Sequence, residues 1–126
     1  MRLAAVVAGI VAGLLCATGA TAHHSFAAFD AKQTITMTGT VEDWQWTNPH
    51  TWLKLVIQTA GGAEQEWGIE GQSPEVMRRQ GIPREVMKQG DKVTVTVHPR
   101  RDGSNGGSLV TVVEVNGNKF VSKAPQ

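Results

Sequence analysis

From residue 34 to residue 41 apolar and polar positions alternate, with Ile35, Met37 and Val41 in phase and Gly39 in the same register. A period of two puts that set on one face, the pattern of a strand with one buried side. The alternation breaks at Glu42-Asp43, and Trp44 and Trp46 resume on the opposite parity, as an inserted bulge residue produces. Asn48-Pro49 predicts a turn, because proline lacks an N–H and biases the residue before it away from helix. Residues 51–59 form a second predicted strand with Leu53, Leu55 and Ile57 on one face, residues 60–63 a hairpin turn, and residues 64–70 a third strand.

The period then changes. Ser73-Pro74-Glu75 is a helix start in which serine can cap, proline fits the first turn and glutamate favours the positive end. That short helix ends by Gly81, and a second short turn over residues 83–88 stops at Gly90. Val93, Val95 and Val97 mark a fourth strand, residues 100–107 read as a hairpin loop, and residues 109–116 read as a fifth strand, extended by residues 119–121 beyond the Asn116-Gly117 turn. Three strands, one or two short helices and two more strands, in roughly 90 residues, is the order of a small five-stranded Greek-key barrel of the oligonucleotide/oligosaccharide-binding type. The competing architecture is a small open sheet or sandwich with one helix across an end. Neither scaffold states a function.

The first 22 residues do not fit that domain. Met1-Arg2, an apolar run from residue 3 to residue 15, and Ala20-Thr21-Ala22 have the three parts of a secretory signal, with cleavage expected after Ala22. The run is too short for a stable membrane anchor. Cys16, the one cysteine, lies inside the leader, and Leu15 before it is larger than a lipoprotein signal normally accepts. The division expected is therefore a signal peptide over 1–22 and a single small barrel over 23–126, periplasmic or secreted and free of disulfides. About 100 residues suffice for one core and leave no room for a second.

Composition narrows the partners. The chain has 12 basic and 11 acidic residues, and Arg2 is the one charge in the leader, so the mature part balances at 11 against 11 before histidine. That balance lacks the basic footprint of a nucleic-acid binder, and no nucleic-acid partner is expected. Ser25 beside His24 has no third group to orient it, adjacent Glu42 and Asp43 face opposite ways in a strand, and no phosphate-cradling glycine loop is present. Conventional catalysis is not expected, and an enzyme would have to work through a metal.

The candidate chemistry lies in four histidines, His23, His24, His50 and His98, all at the mature amino terminus or at predicted strand ends. Cleavage after Ala22 makes His23 residue one, with an α-amine and an imidazole Nδ1 able to chelate one metal. The amine is available because its pKa of roughly 7.7 lies well below that of a lysine ammonium. A nitrogen-rich, sulfur-free donor set suits Cu(II) best among the divalent first-row metals. The arrangement resembles the amino-terminal half of a histidine brace, as found in copper-dependent polysaccharide monooxygenases and some periplasmic copper carriers, with His50 or His98 as the distal imidazole. His50 lies in the densest aromatic stretch, Trp44-Gln45-Trp46-Thr47-Asn48-Pro49-His50-Thr51-Trp52. Trp44, Trp46, Asn48 and Trp52 could line a concave site for an apolar ring or a sugar face. Alternatively, Trp44 or Trp46 fills the core with Trp67 against it. Arg100, in His98-Pro99-Arg100-Arg101-Asp102-Gly103, could bind a carboxylate or phosphate bidentately or remain a solvated turn.

These strings, His23-His24-Ser25-Phe26, Gly39-Thr40-Val41 leading to Trp46-Thr47-Asn48-Pro49-His50, Gly71-Gln72-Ser73-Pro74, and His98 to Gly103, together resemble an uncharacterised family of exported bacterial proteins, the domain of unknown function 6152. The resemblance spans the mature chain. It implies export and one compact domain, and supplies no mechanism. The leading expectation is an exported soluble protein that binds copper through His23 and a distal histidine. The alternative is a metal-free barrel that binds a small organic ligand or a protein partner through its tryptophan surface.

Overall fold

A computed structural model describes residues 27–120. The expected leader with Cys16, His23, His24, Ser25 and residues 121–126 lie outside the described residues. The strands are β1 (Ile35–Gln45), β2 (Trp52–Gln58), β3 (Glu64–Glu70), β4 (Lys92–Pro99), β5 (Gly106–Val115) and β6 (Asn118–Lys119). Between β3 and β4 lie one short helix, α1 (Pro74–Arg79), and a 3-10 turn (Arg84–Val86). The sheet order is β3-β2-β1-β4-β5-β6, and a parallel β3–β5 pairing closes the first five strands into a barrel. This is the Greek-key barrel of the oligonucleotide/oligosaccharide-binding type that the element order predicts.

Alternation explains the core. Met37, Val41, Leu53, Leu55, Ile69, Val93, Val95, Val97 and Val112 point inward and are buried. Met77, Ile82 and Met87 from the β3–β4 connection pack into the same cluster. At roughly 25 cal/mol per Å² of apolar surface removed from water, each such side chain contributes about 1.5–3 kcal/mol. Ser73 caps α1, its Oγ accepting from Val76 N at 3.4 Å. The parity switch in β1 is present: pairing with β2 shifts between Val41 and Asp43, which leaves Glu42 as the extra residue and brings Trp44 opposite inward-facing Leu53.

The last hairpin differs from its sequence reading. Gly106 and Gly107 belong to β5, paired with Gly68 and Ile69 of β3, rather than to a loop over residues 100–107. Two consecutive glycines resemble a turn, yet here their lack of a side chain permits strand packing. A Cβ at Gly107 would stand 2.7 Å from the His98 carbonyl oxygen, and one at Gly106 would stand 2.4 Å from Arg100 Nε. The barrel closes where only glycine fits. Among the described residues no helix is long and apolar enough to cross a membrane.

Candidate functional site

Strand register gathers several candidate residues on one outer face. Trp52 pairs with Glu70, Glu70 with Ser108, and Ser108 with His98, a line across β2, β3, β5 and β4. Their chain neighbours Leu53, Ile69 and Val97 are buried inside the barrel, so by the two-residue period this line faces outward.

The 46–51 loop delivers His50 to that face. Thr51 is fully buried; its N–H and hydroxyl both donate to the Gln72 carbonyl, at 3.0 and 2.9 Å, and its own carbonyl accepts from Gly71 N at 2.8 Å. Thr47 Oγ1 donates to the His50 carbonyl at 2.8 Å. The loop is thereby clamped to the chain just after β3, and His50 Nδ1 meets the Glu70 carboxylate. A carboxylate accepts, so Nδ1 carries a proton, and in the neutral ring the lone pair is on Nε2. The Glu70 side chain is only 11% exposed and that of His50 26%, which makes this a partly desolvated, oriented imidazole.

His98 is oriented in the same sense. Its Nδ1 lies 2.7 Å from the Gln33 carbonyl oxygen, which can only accept, so Nδ1 carries a proton and in the neutral ring the lone pair is again on Nε2. Gln33 is held by a turn in which its N–H donates to the Asp30 carbonyl at 3.0 Å, while Asp30 N donates to the Pro99 carbonyl at 2.8 Å. Phe29, buried, bridges to Arg100, and Arg101 N and Nε donate to the Ala28 and Ala27 carbonyls at 2.9 and 3.1 Å. The amino-terminal segment is therefore tied along the end of β4.

The tryptophans divide. Trp44 and Trp46 meet edge-to-face at 5.5 Å and pack against the core cluster, as does Trp67, and Trp44 Nε1 donates to the Arg84 carbonyl at 3.0 Å. Trp52 points outward, 37% exposed. Asn48 is exposed, beside a cis peptide to Pro49. The Arg100 side chain lies over Gly106, and its buried Nε has no hydrogen-bond partner among the described residues. Beside Trp52, Lys54 lies 3.2 Å from Glu66 and 3.6 Å from Glu42, and those carboxylates hold its ammonium above the usual lysine range. Glu70 was not legible as a site residue: it reads as the last residue of a strand, twenty positions from the histidine it orients.

No group of three or more histidine, cysteine, aspartate or glutamate side chains converges among the described residues. The donor chemistry nonetheless fits an N-ligated metal, since a ring whose Nδ1–H donates to a carboxylate is the usual state of a ligating histidine.

Residues 12–110 match the family of unknown function DUF6152. The chain belongs to that family. The DUF6152 match takes in all four histidines, Trp52, Glu70, Arg100 and Ser108, and ends within β5. No curated protein matches the chain. Among solved structures it is similar to the mitochondrial single-stranded DNA-binding protein of S. cerevisiae, at 16% identity and a TM-score of 0.44, over 71% of this chain and 96% of that one.

Proposed function

We propose that this DUF6152 protein is exported, is cleaved after Ala22, and binds Cu(II) through the amine and imidazole of His23 together with the Nε2 of His50. The observation that carries the reading is the His50–Glu70 pair, a half-buried imidazole with its tautomer fixed by a carboxylate. Reach supports it. The segment at Ala28, β4, β5 and β3 lie side by side, about 14 Å across at ordinary strand spacing. Ala27 lies four residue steps after His23, a stretch that spans up to about 14 Å when extended. His24 neighbours the chelate. His98, whose Nδ1 likewise faces an acceptor and leaves Nε2 as the donor atom of the neutral ring, is the competing distal ligand.

The test uses protein recovered from cells that express the full-length chain. Its mass should correspond to a start at His23, and it should bind one Cu(II) far more tightly than Zn(II). His50→Ala should weaken copper at least tenfold. A start other than His23, or a His50→Ala protein that binds copper as tightly as the parent, contradicts the reading.

A further inference from the structure

Gly68 occupies the interior of β3, paired on both sides, with Lys54 on β2 and with Gly106 on β5. Glycine weakens a strand interior, and where it persists it marks a bulge, a bend or the close approach of something else. The fold does not ask for it here. Gly68 does not have a positive φ, the β3 register is continuous through it, and a Cβ built on it would meet nothing within 4 Å. Gly106 beside it is the opposite case, with the Arg100 side chain directly above.

The space that Gly68 leaves is part of a recess of about 190 Å³ on the outer face, lined by Asp43, Gln45, Trp52, Leu53, Lys54 and Gly68. This is below the ~300 Å³ at which pockets for drug-sized molecules begin, so it suits one ring rather than an extended ligand. Trp52 supplies a flat apolar wall, 37% exposed. The polar lining mixes one cation, Lys54, with one anion, Asp43, whose Oδ2 accepts from Gln45 Nε2 at 2.7 Å. Such a rim offers donors and acceptors without net charge. Glu42 and Glu66 flank Lys54 and Glu70 follows on β3, so the surroundings are acidic and repel a phosphodiester chain. Lys54 inside the recess disfavours a cationic ligand in the same way.

We propose that the Gly68–Trp52 recess is a binding subsite for one pyranose ring of a neutral saccharide. The C–H face of the ring stacks on the Trp52 indole, the ring lies over the bare Gly68 backbone, and its hydroxyls donate to Asp43 and accept from Lys54 and Gln45. This subsite uses no metal and none of the four histidines, so it stands or falls apart from the copper reading. It also narrows the expectation of a tryptophan surface to Trp52, since Trp44 and Trp46 pack against the core.

The test is amide and indole NMR of the 15N-labelled protein, titrated separately with cellotetraose, maltotetraose and tetra-N-acetylchitotetraose, and in control arms with a thymidine oligonucleotide and with choline. At least one neutral saccharide should saturably shift the Gly68 amide and the Trp52 indole N–H, while the control arms leave both in place. Gly68→Val should fill the recess and weaken that saccharide at least tenfold with the melting temperature retained, and Trp52→Ala should weaken it comparably. If valine disturbs the strand, Gly68→Ala, whose Cβ has open space, serves in its place with a smaller loss. No shift with any of the three saccharides overturns the proposal. So does tighter binding of the oligonucleotide or of choline at the same resonances, or parental affinity in the folded Gly68 variant.

Discussion

Replacing Asp91 by asparagine should cost about 2–3 kcal/mol at neutral pH and almost nothing near pH 2. Asp91 is 8% exposed, and its carboxylate ties the start of β4 to two other parts of the chain. Oδ2 accepts from Lys88 N at 2.9 Å, and Oδ1 accepts from Lys88 Nζ at 2.8 Å and from Asn116 Nδ2 at 3.0 Å. The hydrogen bonds from the Lys88 and Asn116 side chains lower the carboxyl from 3.8 to about 2. A drop of roughly two units, at about 1.36 kcal/mol each, corresponds to about 2–3 kcal/mol. The Lys88 ammonium, the largest contributor to that drop, is 80% exposed and screened by solvent, which favours the lower end of that range. Because the folded pKa is depressed, the contribution is complete above the unfolded value near 4 and disappears as pH falls through about 2. Asparagine mimics the uncharged carboxyl. Urea unfolding followed by tryptophan fluorescence, on parent and Asp91→Asn at pH 7, 5, 3 and 2, should therefore show a stability gap that is constant at the two higher values and closes at the lowest. At neutral pH the gap corresponds to a melting difference of roughly 10–15 °C for a domain of this size. A variant within about 0.5 kcal/mol of the parent at pH 7, or a gap undiminished at pH 2, would refute the reasoning.

Further outcomes follow from the same geometry. Gly107→Ala should destabilise by roughly 1–3 kcal/mol, because its Cβ meets the His98 carbonyl oxygen at 2.7 Å and Val97 Cβ at 3.0 Å, neither of which can swing aside; circular-dichroism melts check this, with Gly68→Ala expected to be neutral or slightly stabilising. Trp44→Ala should cost about 3 kcal/mol with or without copper, through lost packing and the lost bond to Arg84, and an unchanged melting curve would remove Trp44 from the core. Glu70→Gln should weaken copper by about 10- to 100-fold, the usual effect of removing a carboxylate that orients a ligating histidine, and calorimetric titration against the parent would expose an indifferent variant.

Periodicity made most of the barrel legible. The bulge near Glu42 was readable because Trp44 and Trp46 change parity, and β3 matches its expected bounds of 64–70. The start of β5 was not readable: consecutive glycines are the local signature of a turn, and only the approach of β3 and β4 shows why they lie in a strand. The candidate site was legible by residue type, in His50, His98, Trp52 and Arg100, and not by grouping. Which tryptophans face inward depends on the register across β1 and β2, and the pairing of His50 with Glu70 depends on the Thr51 clamp to Gln72. Those are contacts distant in sequence, to which local pattern is blind.

Pulsed electron paramagnetic resonance of the Cu(II)-loaded protein tests the copper reading most directly, since the remote nitrogen of each coordinated imidazole modulates the electron spin echo. In the parent, two imidazoles should be counted, His23 and His50, and in His50→Ala one. An unchanged count in His50→Ala, or the loss of an imidazole in His98→Ala instead, would contradict the assignment of His50 as the distal ligand.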